Sequence, residues 1–216
     1  MTVTVLPRVI PAPAGRPRRA GTEDTQRESR LIAADPTRWT TERARESMRR
    51  YADLAACWDA ERGGYRPVPL DDALRRGGPL PAGRCAEVGA GTGLLTPLLL
   101  RVWPRVVSLD LSPDMLARST ARWRVRADAV RLPLATGCLA AVVLADAPLF
   151  AGEVCRVLRR DGVAVWSNAL GDAAPHYVPP EDVLAALQRH QGRSTWRAVA
   201  SEAGWGSWAV LRRLPN

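Results

Sequence analysis

Apolar and polar positions follow two rhythms along this chain. Short apolar runs closed by glycine, serine or aspartate alternate with stretches in which apolar residues recur every three or four positions. The runs are residues 84–88, 105–110, 123–127, 139–145 and 162–167. Leu139-Ala-Ala-Val-Val-Leu-Ala145 has no polar interruption, as expected of a central parallel strand covered on both faces. Between the runs, Leu94, Leu95, Leu98 and Leu99 repeat at helical spacing, and residues 150–158 and 180–190 read as further helices. Ser112-Pro113 supplies an N-cap and a first helical residue. In residues 194–214, Trp196, Trp208 and Val210 flank Gly204 and Gly206, a pattern for two antiparallel strands joined by a tight turn. Strands alternating with helices predict an α/β fold: a doubly wound, seven-stranded sheet, mostly parallel, with a C-terminal antiparallel hairpin.

The first core run ends in Glu87-Val-Gly89-Ala-Gly91-Thr-Gly93. Glycines at alternate positions allow a backbone to approach a ligand closely. A dinucleotide turn would want its third glycine where Leu94 stands, and a phosphate loop needs a lysine, which the chain lacks. The second run closes on Asp110, about twenty residues on, where a carboxylate can accept hydrogen bonds from vicinal ribose hydroxyls. The third run leads into Asp128, a suitable acceptor at a strand tip for an N–H donor.

The acidic-x-G-x-G-x-G spacing resembles motif I of the class I S-adenosylmethionine-dependent methyltransferases. The segment EVCRVLRRDGVAVW, residues 153–166, resembles another stretch of that family, departing from it at Asp161 and Val163. The resemblance implies a Rossmann-like core with S-adenosyl-L-methionine as cofactor. It places Glu87 near the methionine amino group and the backbone of Gly89, Ala90, Gly91 and Gly93 beneath the methionine and ribose. It assigns Asp110 to the ribose, Leu111 to adenine packing and Asp128 to the adenine amine. Met115, Ala129 and Ala145 complete the cofactor-binding candidates. Asp146-Ala-Pro-Leu faintly echoes the (D/N)-P-P-(Y/F) motif of enzymes that methylate base amines, but two of its four positions differ.

A sulfonium methyl is already activated, so positioning is the main catalytic requirement and a general base is needed only for a protonated nucleophile. Asp146 and His176, which follow the fourth and fifth runs, are the catalytic candidates, ahead of their neighbours Asn168 and Tyr177. The implied reaction is methyl transfer to a small-molecule acceptor. An RNA or protein acceptor, or a cofactor-binding module without transferase activity, is the alternative.

Upstream of the core, residues 1–30 hold four prolines among arginines and small residues, predicting a disordered tail. Residues 31–80 are expected to form a helical cap or lid, with Tyr51, Leu54, Ala55 and Trp58 on one face of a helix over residues 40–61. Residues 81–216 form the expected core. The 216 residues allow one such domain with appendages.

All 31 basic residues are arginine and the formal charge is +9. That permits attraction to nucleic acid or an acidic partner, but the arginines are dispersed rather than gathered in one stripe, which puts a small-molecule acceptor first. Four cysteines without a C-x-x-C pair read as buried hydrophobes in a reducing compartment, so no metal site is expected. No apolar run approaches the ~20 residues of a membrane span, and the expectation is a cytoplasmic protein with no membrane partner.

Overall fold

The computed structural model describes residues 2–17, 22–190 and 195–214. In chain order it contains β1 (Thr2–Val5), α1 (Thr22–Ala34), a 3-10 turn (Pro36–Arg38), α2 (Thr41–Leu54), α3 (Trp58–Arg62) and α4 (Pro67–Arg76). The core follows as β2 (Arg84–Val88), α5 (Thr96–Leu100), β3 (Arg105–Asp110), α6 (Pro113–Ala117), β4 (Trp123–Arg126) and β5 (Leu139–Ala145). It closes with α7 (Ala151–Val157), β6 (Leu158–Asn168), a 3-10 turn (Gly171–Ala173), α8 (Pro180–Arg189), β7 (Trp196–Ala203) and β8 (Gly206–Arg213).

The strands form one sheet in the order β1-β7-β8-β6-β5-β2-β3-β4. Only the β6–β8 and β7–β8 pairings are antiparallel. The doubly wound, mostly parallel architecture with an antiparallel C-terminal hairpin is therefore present. Every residue of β5 is buried, because helices cover both faces of the sheet. Ala86, Val88, Val142, Leu144 and Trp166 pack on one face with α7 and α8. Cys85, Ala141, Val143, Val165 and Trp208 pack on the other with α4 and α5. Each buried Val or Leu contributes about 1.5–3 kcal/mol.

Two expectations are corrected. The sheet has eight strands rather than seven, and the first 30 residues are not a tail without structure. β1 adds parallel to β7 with Thr2 opposite Arg197 and Val5 opposite Ala200, and the Leu6 amide donates to the Ala200 carbonyl at 2.8 Å. Helix α1 begins at Thr22. The prolines dominate the composition of this segment, but Thr-Val-Thr-Val at its start is β-branched, and an edge strand needs backbone bonds more than burial. Val5 is 70% exposed there. Met1, residues 18–21 of the expected tail, and Ser194 lie outside the described residues.

The expected helix over residues 40–61 is divided, since α2 ends at Leu54 and α3 starts at Trp58. Thr40 caps α2 by accepting from the Arg43 amide at 3.3 Å. α4 starts at Pro67, because proline at the first helical position has no N–H to leave unpaired. No helix among the described residues is long and apolar enough to cross a membrane.

α4 is fastened to the sheet by a buried carboxylate. Asp72, 3% exposed, accepts from Trp208 Nε1 at 2.8 Å and from Arg76 at 2.9 Å on the same oxygen. Removing it leaves the Trp208 indole N–H without its acceptor and the Arg76 guanidinium with the Pro7 carbonyl in place of a carboxylate. Asp72→Ala should lower unfolding free energy by about 3 kcal/mol in urea titration. A loss under ~1 kcal/mol would show that this contact does not hold α4 in place.

Candidate active site

The chain runs outward from β2 through β3 to β4, then returns to β5 on the other side of β2. That reversal opens a crevice at the carboxyl ends of the strands, the usual ligand position in such sheets. The glycine turn after β2 forms its floor. The Gly89 and Ala90 amides both donate to the Leu109 carbonyl, at 2.8 and 3.0 Å, which curls the turn toward the tip of β3. Gly89 has φ 72°, and a Cβ there would stand 2.6 Å from that of Ala147. Gly91 has φ 59°, and a Cβ there would meet only Met115 Sδ and Trp58 Nε1, at 3.8 and 3.9 Å, because this glycine faces the crevice.

Asp110 joins the floor to the next helix. Its Oδ2 accepts the Gly91 amide at 2.7 Å and its Oδ1 accepts the Ser112 amide at 2.8 Å. Burial raises its carboxyl above the ordinary range, while the amides of Ser112, Gly91 and Leu111 oppose that rise. Glu87 lies beneath the turn, 2% exposed, and its Oε2 accepts hydroxyls from Thr96 at 2.5 Å and Ser108 at 3.2 Å. Burial pushes it up to about 7 against those hydrogen bonds and the charge of Arg66.

The N-terminal helices form the roof. Trp39 Nε1 donates to both Asp128 oxygens at 3.0 Å, and its ring meets Phe150 edge-on at 5.7 Å. Tyr51 and Trp58 pack edge-to-face at 5.7 Å. The space between roof and floor, counted with the solvent at its mouth, is about 740 Å³.

At its inner end stands Asp146, whose φ of 52° is the only positive value among the described non-glycine residues. Its Oδ1 accepts the Ala169 amide at 3.0 Å and its Oδ2 pairs with Arg66 at 3.0 Å. Beside it, His176 shares hydrogen bonds with Ser29 Oγ at Nδ1, 2.9 Å, and with Tyr51 OH at Nε2, 3.0 Å. Desolvation lowers His176 to about 4, with Arg50 and Arg66 adding to the effect and Asp146 opposing it. The imidazole is therefore neutral near pH 7. An unfolded histidine takes up its proton near 6.5, so acidification from there to about 4 removes the stability that a neutral His176 contributes.

Residues 86–166 match the model of a methyltransferase domain family. Among solved structures, the DhpI complex with S-adenosylhomocysteine aligns with TM-score 0.63 at 19% identity, over 80% of this chain and 98% of that one. Residues 86–166 are thus a methyltransferase domain. In a Haloferax volcanii complex, the methyltransferase partnered with the Trm112 activator aligns with TM-score 0.63 at 14% identity, over 78% of this chain and 98% of that one. An Aquifex aeolicus S-adenosylmethionine-dependent methyltransferase aligns with TM-score 0.53 at 18% identity, over 69% and 92%. No curated protein matches the chain in sequence.

The residues of this methyltransferase fit an adenosyl cofactor: a Cβ-free floor at Gly91, a strand-tip carboxylate at Asp110 and apolar walls. Gly89, Gly91, Asp110, Leu111, Met115, Asp128, Ala129, Asp146 and His176 line the crevice as one set. Glu87, Ala90, Gly93 and Ala145 lie outside that lining. Glu87 is turned toward Thr96 and Ser108, and the Ala145 carbonyl accepts from Arg66 at 3.0 Å. Trp39, Met48, Arg66 and Phe150 line the crevice and were not among the sequence candidates. The clue to Trp39 was a lone aromatic just before the Thr40 cap, whereas the Arg66–Asp146 pairing spans eighty residues and has no local signal.

Because a folded Glu87 keeps its proton to about 7 while an unfolded glutamate loses it near 4.5, its contribution to stability is complete at low pH and lost as pH rises through that window. Glu87→Gln does not titrate. Its stability relative to wild type should improve by about 2 kcal/mol between pH 5 and pH 8 in urea titrations. Parallel pH curves for the two proteins would refute a buried, protonated Glu87.

Proposed function

We propose that this methyltransferase acts on a small-molecule acceptor, held against the cofactor beneath the helical roof. One observation carries the reading: Trp39 on Asp128 and Tyr51 on His176 close the crevice from above, leaving room for a cofactor and a compact ligand rather than an open polymer track. In this reading residues 31–80 act as a cap on the core.

When bound, S-adenosylmethionine supplies an activated sulfonium methyl. Asp110 is assigned to the ribose hydroxyls, Leu111, Met115 and Ala129 to the adenine walls, and Asp128 to the adenine amine. The glycine turn supports the methionine end. Glu87 acts mainly by holding the turn to α5 and β3 through Thr96 and Ser108. The protein's principal contribution is to hold the nucleophile in line in a dry cleft, worth about 7–11 kcal/mol. His176 is the proton acceptor for a hydroxyl or amine nucleophile, directly or through Tyr51, since its imidazole is neutral and its Nε2 faces that phenol. Asp146, with both oxygens engaged, positions Arg66 and the loop after β6.

A nucleic-acid or protein acceptor draws support from a different feature. Edge strand β4 is exposed along its length and carries Arg124 and Arg126. Radiolabelled methyl transfer into a cell extract, separated into small molecules, RNA and protein, decides between them. Label in the small-molecule fraction, reduced at least tenfold by His176→Ala, is expected; label confined to RNA or protein would overturn the small-molecule reading, and none at all the transferase reading.

Asp110 makes charge-assisted hydrogen bonds of about 1.5–3 kcal/mol in this assignment. Calorimetric titration should show Asp110→Ala binding S-adenosylmethionine about ten- to a hundredfold more weakly. Equal affinity would remove Asp110 from the site.

A further inference from the structure

Past Tyr51 and Trp58 the crevice adjoins a second chamber that also borders Asp146 and His176, about 450 Å³ when counted with the solvent at its mouth. Three arginines, Arg50, Arg62 and Arg66, line this chamber against a single carboxylate, Asp146. With His176 uncharged, its lining carries two net positive charges.

Two of these arginines are buried, Arg62 at 3% exposure and Arg66 at 9%. Both lie over Trp58, with guanidinium carbons 4.2 and 5.1 Å from the ring centroid. Their charged neighbours are unequal to them. Arg66 pairs with Asp146 at 3.0 Å, while Arg62 reaches Glu61 at 2.7 Å, whose side chain is 53% exposed. The Nε of each arginine is buried without a hydrogen-bond partner. Like charges four residues apart repel, and a buried donor left unpaired is costly, so both features call for an anion. Tyr51, Trp58 and Tyr65 meanwhile offer aromatic walls to a planar apolar body.

We infer that this chamber binds the methyl acceptor as an oxyanion, a small planar molecule whose carboxylate or phosphate is met by Arg62 and Arg66, with Arg50 at its rim. The assignment rests on the small-molecule reading above and adds the acceptor's charge. Guanidinium groups suit such an anion because their planar array of donors matches an oxyanion edge. The anionic end would lie on the arginines and the nucleophilic end toward Tyr51, His176 and the cofactor crevice.

The test is calorimetric titration with benzoate, phenyl phosphate and the neutral analogue benzamide, with and without saturating S-adenosylhomocysteine. At least one oxyanion should bind tenfold or more tightly than benzamide. That preference should shrink below threefold in Arg62→Gln and weaken in Arg50→Gln, a surface change that spares the buried stack. S-Adenosylhomocysteine affinity should stay within twofold of wild type in both variants, because neither residue lines the cofactor crevice, which also confirms that they fold. Benzamide binding as tightly as both anions, or an undiminished preference in both variants, overturns the assignment. Methyl label found only in macromolecules would instead remove the small-molecule reading while leaving the anion preference to be read on its own.

Discussion

The carboxylate of Asp110 is the tie on which the site depends. One oxygen takes the amide of Gly91 and the other that of Ser112, so a single side chain fixes both the glycine turn after β2 and the start of α6. Gly91 sits in a left-handed conformation with no side chain to pack, so its amide bond to Asp110 adds to the hold that the Leu109 carbonyl has on Gly89 and Ala90. Ser112 caps the helix that brings Met115 to the crevice, accepting from the Met115 amide at 3.3 Å. The same carboxylate that would meet the ribose thus also builds the surface on which the cofactor rests.

Around this tie the protein concentrates unfavourable features that a purely structural core would avoid. Glu87 and His176 are both driven toward their neutral forms by burial, in opposite pH directions. Asp146 adopts a backbone conformation that costs of order 1 kcal/mol or more, held there by Arg66 and the Ala169 amide. Arg62 and Arg66 share one tryptophan face. Glu87 lies beneath the glycine turn, and the other groups line the crevice or the second chamber. Strained and desolvated groups persist where surrounding packing over-determines them, and the all-buried β5 with its flanking helices supplies that packing.

The N-terminal segment shows how weakly composition predicts a docked element. β1 and α1 have little apolar surface of their own, but β7 offers unpaired backbone groups at the sheet edge, and α1 brings Ser29 to His176. Half-buried Trp39 and buried Trp58, both lining the crevice, tie the following helices to the core. A segment with little apolar surface of its own is held by the backbone groups that the edge of the sheet presents.

Much of the fold was legible in the sequence because it is governed by local periodicity. β5 and β3 have the boundaries their apolar runs predicted, the Ser112-Pro113 cap starts α6, and the glycine spacing marked the floor of the crevice. Adjacent residues determine those features, through steric freedom at glycine, backbone capping and apolar runs that demand cover. The roof and the second chamber were not legible. Trp39 meets Asp128 across 89 positions, Tyr51 meets His176 across 125, and Arg66 meets Asp146 across 80. Nothing in the local pattern of either partner records such pairings, because they arise from where the sheet carries each strand tip and from the angle at which α2 and α3 cross it. The sequence determined that there would be a cofactor crevice and where its floor lay; only the tertiary structure decided what covers it and which charges stand beside it.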